Sequence, residues 1–286
     1  RKAKMIKVGF IDYYLDEWHA NTAPEHLEKL SNGEVKVCYA YGEIANAVSG
    51  VISEEWCQKN GIEHCKTIEQ LVEKSDAIMV LAPDNCEQKE KLSHLALQSG
   101  KPCFVDKPFG TDLASAKRMF DLAEKHNTPC YSCSALRYAE EYKAVDRKAI
   151  QSLVVFTPQN SYDNYILHAL EPAMMLCEEP AKRVMSVFRG DAFYSVTVEL
   201  LSGRYIVINS FNYDTPYMMN ISIPTSNLLI DCSYDFWLGH YKTMIEFFKS
   251  KKEPVSHKET LMIAAAREAG KKGMLNPGEW ITVNNL

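Results

Sequence analysis

Short apolar runs and amphipathic stretches alternate along the first half of the chain. The apolar runs are dense enough to be buried on both faces, and they predict parallel strands at residues 5–11, 34–41, 76–82, 102–106 and 129–135. The stretches between them have helical spacing, at residues 24–30, 53–60, 67–74, 87–99 and 111–126. Strands and helices in alternation predict an α/β N-terminal domain, a Rossmann-like doubly wound parallel sheet.

The pattern changes in the second half, where strands are joined by turns. Strands are predicted at residues 152–157, 183–188, 193–201, 204–213, 217–223, 227–232 and 279–283. Helices are predicted up to about residue 150, around 163–171, and at 241–250 and 257–272. We therefore expect an α+β C-terminal domain with an open, mostly antiparallel sheet, and domains of residues 1–134 and 135–286.

Composition and charge exclude several kinds of partner. The chain has 286 residues, enough for two cores, and its 46 % hydrophobic and 24 % charged residues are typical of a globular protein. A net charge of −5 gives no reason to expect nucleic acid or an anionic membrane as a partner. No apolar run reaches the ~20 residues of a membrane span.

The nine cysteines are scattered along the chain, which fits reduced thiols and a cytoplasmic location. Cys130 and Cys133 form a C-x-x-C pair within a predicted strand. Side chains three residues apart on a strand point to opposite faces, so we interpret this pair as structural and predict no metal site.

A lysine follows the strand predicted at residues 102–106. Lys107 is thereby placed at the C-terminal edge of the parallel sheet, where open α/β sheets bind their ligands. Pro108 biases Lys107 toward an extended conformation and keeps the chain from continuing as a helix. A solvated turn is the alternative for an isolated Lys-Pro pair, so the flanking residues decide between the two.

The segments around this lysine resemble the Gfo/Idh/MocA oxidoreductases. Residues 76–85, DAIMVLAPDN, correspond to the family's strand that ends in (A/T)-P-N, and residues 99–108, SGKPCFVDKP, to its A-G-K-x-V-x-x-E-K-P. The resemblance implies hydride transfer between a secondary alcohol of a sugar or cyclitol and NAD or NADP. It also implies that Lys107 stabilises the developing alkoxide.

The same resemblance assigns residues to the cofactor and a role to the second sheet. Pro83, Asn85 and Asp106 occupy the family's cofactor-binding positions. The C-terminal sheet is expected to pair subunits into a homodimer or homotetramer.

The loop after the first strand departs from the family's G-x-G-x-x-G pattern. Its three glycine positions are Asp12, Tyr14 and Glu17. A carboxylate about 4 Å from a phosphate charge costs on the order of 4 kcal/mol at intermediate dielectric. The second strand ends in residues 38–42 without the acid that usually binds the ribose hydroxyls. Asp12, Tyr13 and Tyr14 remain the loop residues that we expect beside a cofactor.

A histidine on a predicted helix is the second chemical feature. The family carries D-x-x-x-H-x-x-D here, and the resemblance places Asn164, His168 and Glu171 at its polar positions. Spacings of four and three residues put these side chains on one helix face. His168 is the candidate base for the hydroxyl proton, and Asn164 is expected to orient it. A packed or capping histidine is the structural alternative.

Three residues are candidates for contact with the substrate. Arg137 and Tyr138 lie in a segment that resembles the family's R-x-x-P-x-Y, and Tyr165 precedes His168 on its helix. A small carbohydrate-like molecule is the expected ligand.

Three functions are compatible with these residues. The first is an oxidoreductase of the family that binds NAD or NADP through altered contacts. The second is a carbohydrate-binding or regulatory protein on the same scaffold, without nicotinamide chemistry. The third is an enzyme of another class, a lyase or hydrolase, that uses Lys107 and His168.

Overall fold

The structure is a computed structural model that describes residues 4–158, 161–188, 193–211, 214–232 and 235–284. The chain divides into two units, each of which is described by itself. The first comprises Arg1–Ser132 and His240–Ser256, and the second comprises Cys133–Gly239 and His257–Leu286. The division into domains of residues 1–134 and 135–286 stays a prediction.

Six strands form the sheet of the first unit. They are β1 (Ile6–Asp12), β2 (Val35–Gly42), β3 (Glu63–His64), β4 (Ala77–Val80), β5 (Cys103–Val105) and β6 (Cys130–Tyr131). The helices between them are α1 (Trp18–Leu30), α2 (Ser53–Asn60), α3 (Ile68–Lys74), α4 (Cys86–Leu97) and α5 (Leu113–Lys125). All neighbouring strands are parallel, in the order β3-β2-β1-β4-β5-β6. This order is that of a Rossmann fold, so the predicted class is confirmed.

Burial on both faces explains why these segments form central strands. β4 is buried along its whole length, and β1 is buried from Val8 onward, because helices cover both sides of the sheet. The register pairs Ile11 with Val80, so β1 and β4 end at the same edge. The strand order changes direction between them, and the carboxyl ends of strands at such a point are the usual ligand site.

Helix α1 begins at Trp18, well before its predicted start at residue 24. Glu17 caps this helix by accepting hydrogen bonds from the backbone N–H groups of His19 and Ala20. The prediction was wrong because it placed Pro24 in the first turn, where proline is common, whereas Pro24 lies inside the helix. Glutamate is also not among the preferred N-cap residues.

Helix α7 (Phe236–Ser250) contributes to the first unit from residue 240 onward. The ring of His240 contacts Phe104 of β5 edge-on, with centroids 5.5 Å apart. The ring of Phe247 contacts Tyr131 of β6 in the same manner, at 4.7 Å. A helix from late in the sequence therefore covers the strands at one side of the parallel sheet.

The second unit contains a seven-stranded mixed sheet with helices. Its strands are β7 (Ser152–Thr157), β8 (Ala181–Phe188), β9 (Tyr194–Leu200), β10 (Tyr205–Ser210), β11 (Met218–Ile223), β12 (Ser226–Asp231) and β13 (Trp280–Thr282). Its helices include α6 (Tyr162–Cys177) and α8 (His257–Gly273). The order is β12-β11-β7-β10-β9-β8-β13, and only β7 and β10 pair in parallel. The predicted α+β fold with a mostly antiparallel sheet is confirmed, although residues 212 and 213 of the predicted strand 204–213 lie outside the described residues.

Three short 3-10 helices replace the single helix predicted up to about residue 150. They span Ala135–Tyr138, Glu140–Ala144 and Arg147–Ala149. The backbone is extended at Val145, with φ −83° and ψ 122°, which interrupts helical hydrogen bonding. The prediction of a continuous helix was wrong here.

Several large apolar side chains of the second sheet are exposed, among them Val187, Tyr205 and Leu229. Pairing of subunits through this sheet stays a prediction. Among the described residues, no helix combines the length and apolar character that crossing a membrane requires.

Candidate active site

Asp12, the last residue of β1, joins the ends of two strands. It is 1 % exposed, and its Oδ1 atom accepts hydrogen bonds from the backbone N–H groups of Tyr13, at 2.7 Å, and Ala82, at 2.9 Å. Its Oδ2 atom is buried without a hydrogen-bond partner among the described residues. Burial raises the pKa of this carboxyl to about 7, although both backbone hydrogen bonds and Lys89 oppose the rise.

Glu17 occupies the N-terminus of α1. Its Oε2 atom accepts from the backbone N–H of His19 at 2.7 Å, and its Oε1 atom accepts from that of Ala20. Burial and the nearby Asp12 raise the pKa of Glu17 well above its ordinary value, whereas the two hydrogen bonds lower it. Two N–H groups that the helix leaves unpaired at its start are thus satisfied by the chain itself.

Asp106 follows β5 at the same edge of the sheet and is 3 % exposed. Its Oδ2 atom lies 3.9 Å from His19 Nδ1. Burial raises the pKa of Asp106, whereas His19, Lys89 and Lys107 lower it. The lowering effects are larger together, so the pKa of Asp106 lies below its usual value. Burial lowers the pKa of His19, and it lowers that of His240 to about 4. Burial therefore disfavours the charged form of both histidines.

Lys89 fixes the backbone at the end of β5. The side chain is fully buried, and its Nζ atom donates to the carbonyl oxygens of Asp106, at 2.8 Å, and Lys107. Lys107 itself is 6 % exposed, and its peptide bond to Pro108 is cis. The residue that the sequence placed at the edge of the sheet is therefore buried and held by a second lysine.

Sequence reasoning missed Lys89, although a signal for it exists. The buried residues of α4 include Lys89, Leu92, Ser93 and Ala96, which follow the i, i+3, i+4, i+7 spacing of one helix face. A lysine in register with the apolar face of a helix is a candidate for a buried charge.

The other predicted cofactor residues also lie at this edge. Tyr13 and Tyr14 directly follow β1 and are half-buried, with ring centroids 6.3 Å apart. Pro83 is buried after β4, and Asn85 precedes α4 and donates to Glu87 Oε1 at 3.1 Å. Their role in binding a cofactor stays a prediction. Among the described residues, no group of three or more His, Cys, Asp or Glu side chains could hold a metal ion.

In the second unit, His168 of α6 is held in place by three neighbours. Its Nδ1 atom lies 2.9 Å from the hydroxyl oxygen of Ser134. Its ring contacts the rings of Tyr165 and Tyr217 edge-on, with centroids 5.4 and 5.7 Å away. The side chain is half-buried, and packing and the hydrogen bond with Ser134 contribute to its position.

Glu171, which lies one turn further along α6, organises the same region. It is 4 % exposed and accepts from the Ser134 backbone N–H, at 2.8 Å, and from Arg137 Nη1, at 2.9 Å. Arg137 Nη2 donates to Glu259 at 2.7 Å. Burial raises the pKa of Glu171 to about 7 against the effect of Arg137. Both Nη atoms of Arg137 are engaged by carboxylates, and its contact with substrate stays a prediction.

The hydrogen bond to His168 was expected from Asn164, but the structure provides it from Ser134. Asn164 Oδ1 is buried without a hydrogen-bond partner among the described residues, so its orienting role stays a prediction. Tyr138 is half-buried, and its hydroxyl lies 3.7 Å from Cys133 Sγ. Ser134 could not be found from the sequence, because no local pattern links it to a helix 34 residues away.

The parallel sheet and its strand order define a protein with a Rossmann-type fold. Residues 19–134 match the model of the GFO_IDH_MocA family, described as an oxidoreductase family with an NAD-binding Rossmann fold. This match confirms the resemblance to the Gfo/Idh/MocA oxidoreductases for residues 19–134. The match begins at His19, directly after the loop that lacks the glycines.

Solved structures of dehydrogenases are similar to this chain along nearly its whole length. A probable dehydrogenase from Thermotoga maritima has a TM-score of 0.81 at 15 % identity, with 97 % of this chain and 99 % of that chain covered. Myo-inositol 2-dehydrogenase from Lactobacillus plantarum has a TM-score of 0.80 at 12 % identity, with 98 % and 100 % covered. Scyllo-inositol dehydrogenase from Lactobacillus casei, solved with NAD(H) and scyllo-inositol, has a TM-score of 0.79 at 13 % identity, with 98 % and 99 % covered. At these identities the likeness shows the fold, and no curated protein sequence matches the chain.

The fold of this family is described as NAD-binding, so the question is whether the residues at the carboxyl edge of the sheet fit a bound NAD molecule. The ordinary position of the diphosphate is the N-terminus of the helix after β1. Here the N–H groups of His19 and Ala20 are bonded to Glu17, and Asp12 adds a second carboxyl. The residue nearest to the usual ribose-binding acid, Glu43, is engaged by Lys91 and by the Tyr41 hydroxyl. As arranged, these residues do not fit a dinucleotide in its ordinary position.

Replacing Lys89 by methionine should destabilise the protein by about 3 kcal/mol or more. The change leaves two buried carbonyl groups without their donor and removes a charge that compensates buried carboxylates. Urea unfolding followed by circular dichroism measures the effect. Lys91→Met is the matched control, because Lys91 lies on the same helix but is exposed and forms a surface ion pair, worth ~0.5 kcal/mol. Equal effects of the two substitutions would contradict the role assigned to Lys89.

Asp12→Asn should flatten the dependence of stability on pH. Because the Asp12 pKa rises from 3.8 to about 7 on folding, the native state holds a proton that the unfolded state releases in this window. The free energy of unfolding of the wild type should therefore fall as pH rises from about 4 to 7, by up to ~1.4 kcal/mol per pH unit for this group. Denaturant unfolding at several pH values tests this, with Asp121→Asn on the exposed side of α5 as control. A slope that Asp12→Asn leaves unchanged would contradict the prediction.

Proposed function

We propose that this protein is an oxidoreductase that acts on a secondary alcohol of a carbohydrate-like small molecule. The observation that carries the proposal is the setting of His168, whose Nδ1 atom is hydrogen-bonded by Ser134 and whose ring is packed by two tyrosines. The match of residues 19–134 to an oxidoreductase family supports the proposal, as does the similarity to structures named as inositol dehydrogenases.

The proposed chemistry needs a base and a positive charge. Oxidation of an alcohol releases the hydroxyl proton, and His168 is the group that accepts it. The ammonium group of Lys107 stabilises the alkoxide that forms, since a fixed positive charge acts strongly where water is excluded. Asn164 precedes His168 by one helical turn and is the residue to which we assign its further orientation.

The substrate class in this proposal is a polyol. Tyr165 contacts the His168 ring and presents a phenol group, which can donate to and accept from sugar hydroxyls. Tyr138 and Arg137 are proposed to line the same region. NAD or NADP is the cofactor expected from the family, and the arrangement around Glu17 bears on how tightly either one binds.

A non-catalytic carbohydrate-binding or regulatory protein is the alternative on the same scaffold. It predicts binding of a polyol without turnover. The comparisons do not favour it, because the similar structures are named as dehydrogenases.

A polyol screen tests the proposed function. Myo-inositol, scyllo-inositol and simple sugars are offered with NAD or NADP, and reduced nicotinamide is followed by absorbance. His168→Asn should lower kcat by about 100-fold or more while polyol binding, measured by calorimetry, changes little. His94→Asn, an exposed histidine on α4, is the control and should leave kcat unchanged. Polyol binding without turnover in the wild type would favour the alternative.

Asn164→Asp should raise kcat by about tenfold or more. A carboxylate one turn before His168 stabilises the protonated ring that forms when the base has accepted its proton. It also raises the pKa of the histidine, so the acid limb of the pH–rate profile should move to higher pH. Asn164→Ala is the matched control, and it should produce neither change. An unaltered pH–rate profile in Asn164→Asp would show that residue 164 does not act on His168.

A further inference from the structure

The N–H groups at the start of α1 are bonded to a carboxyl group that belongs to the chain itself. A helix N-terminus attracts anions because its first N–H groups are unpaired and the helix dipole is positive there. In this chain the Glu17 carboxylate bonds to the N–H groups of His19 and Ala20, one with each oxygen. The position that a phosphate ordinarily takes in this fold is therefore filled by a carboxylate.

The loop that carries Glu17 is held by the segment after β2, residues 43–49. The backbone N–H groups of Glu43 and Ile44 donate to the carbonyl oxygens of Asp12, at 3.1 Å, and Tyr13, at 2.9 Å. Two side chains of this segment hold the residue next to Glu17, since Asn46 donates to the Asp16 carbonyl oxygen and Ser49 to its carboxylate, both at 2.7 Å. The loop is thus bonded in its present conformation on the side where the ribose of a dinucleotide ordinarily lies.

A dinucleotide diphosphate would compete with Glu17 for the same donors. Glu17 uses two oxygens, and its displacement removes the N-cap of α1. The nearby carboxyl of Asp12 adds negative charge at the end of β1. Both effects oppose a diphosphate at this helix end and neither opposes an uncharged polyol.

We propose that Glu17 is an internal competitor of the dinucleotide diphosphate at the N-terminus of α1, so that NAD or NADP binds there only when Glu17 leaves the helix. The competition concerns the nucleotide alone and holds whatever the substrate of the protein is. Glu17 in this view sets the affinity for the cofactor and does not take part in the chemistry.

The test compares cofactor affinity in two Glu17 variants. Glu17→Gly removes the cap and its charge, and Glu17→Gln removes the charge while keeping one acceptor oxygen. Calorimetric titration with NADH and with NADPH should show binding about tenfold or more tighter in Glu17→Gly than in the wild type, with Glu17→Gln between them.

Hydrogen exchange supplies a second measurement that does not depend on activity. The amides of His19 and Ala20 should exchange faster in Glu17→Gly than in the wild type, and NADH should restore their protection in the variant. In the wild type, the same concentration of NADH should change their exchange much less.

Asp112 offers the matched control, because its side chain caps α5 of the same unit by accepting from the Ser115 backbone N–H at 2.7 Å. Asp112→Gly and Asp112→Asn lose an equivalent cap on the helix that follows β5 instead of the helix that follows β1, and they should bind NADH as the wild type does. An affinity that neither Glu17 variant improves, including the case in which no variant binds, would overturn the proposal. An equal gain in the Asp112 variants would overturn it as well.

The outcome is separable from that of the proposed function. Turnover of a polyol by a wild type whose cofactor affinity is unaffected by Glu17 would leave the proposed function intact and remove the competition. A gain of cofactor affinity in Glu17→Gly without turnover of any polyol would support the competition and contradict the proposed function.

Discussion

The ammonium group of Lys89 is the constraint on which the carboxyl edge of the parallel sheet depends. Three carboxyl groups meet there, from Asp12, Glu17 and Asp106, and burial disfavours the charged form of the neighbouring histidines. A buried charge is tolerated only when it is paired and hydrogen-bonded. Lys89 satisfies both conditions, since it bonds two carbonyl groups and offsets the adjacent carboxylates. The backbone that presents Lys107 is therefore fixed by electrostatics as much as by the sheet.

Much of the fold could be predicted because its signals are local. Strands that are buried on both faces are apolar along their length, which makes them visible in the sequence. Strand β7 and helix α2 also begin and end at the predicted residues. The start of α1 could not be predicted, because the cap is a glutamate whose effect depends on its surroundings. The 3-10 segments after residue 134 have helix-forming residues, so their conformation is set by contacts beyond the local sequence.

The candidate site also contains residues that local signals predict and residues whose contacts depend on distant parts of the chain. Asp12, Asp106 and Lys107 could be placed at one edge of the sheet, because each stands at the end of a strand and parallel strands end together. The partners that fix these residues could not be placed, since the bonds cross long stretches of chain. Ser134 holds His168, and no sequence pattern links the two. The register of Lys89 with the apolar face of α4 indicates a buried lysine, but it does not indicate that the lysine bonds the carbonyl groups after β5.

The contribution of α7 to the first unit determines when the core of that unit is completed during synthesis. Ribosomal synthesis delivers the six parallel strands by residue 131, but the helix that covers β5 and β6 arrives only with residues 240–250. Phe104 and Tyr131 therefore lack their aromatic partners from α7 while strands β7 to β12 of the mixed sheet are being synthesised. The core of the nascent Rossmann unit is thus completed only after most strands of the second unit have been synthesised, so synthesis of the two units overlaps.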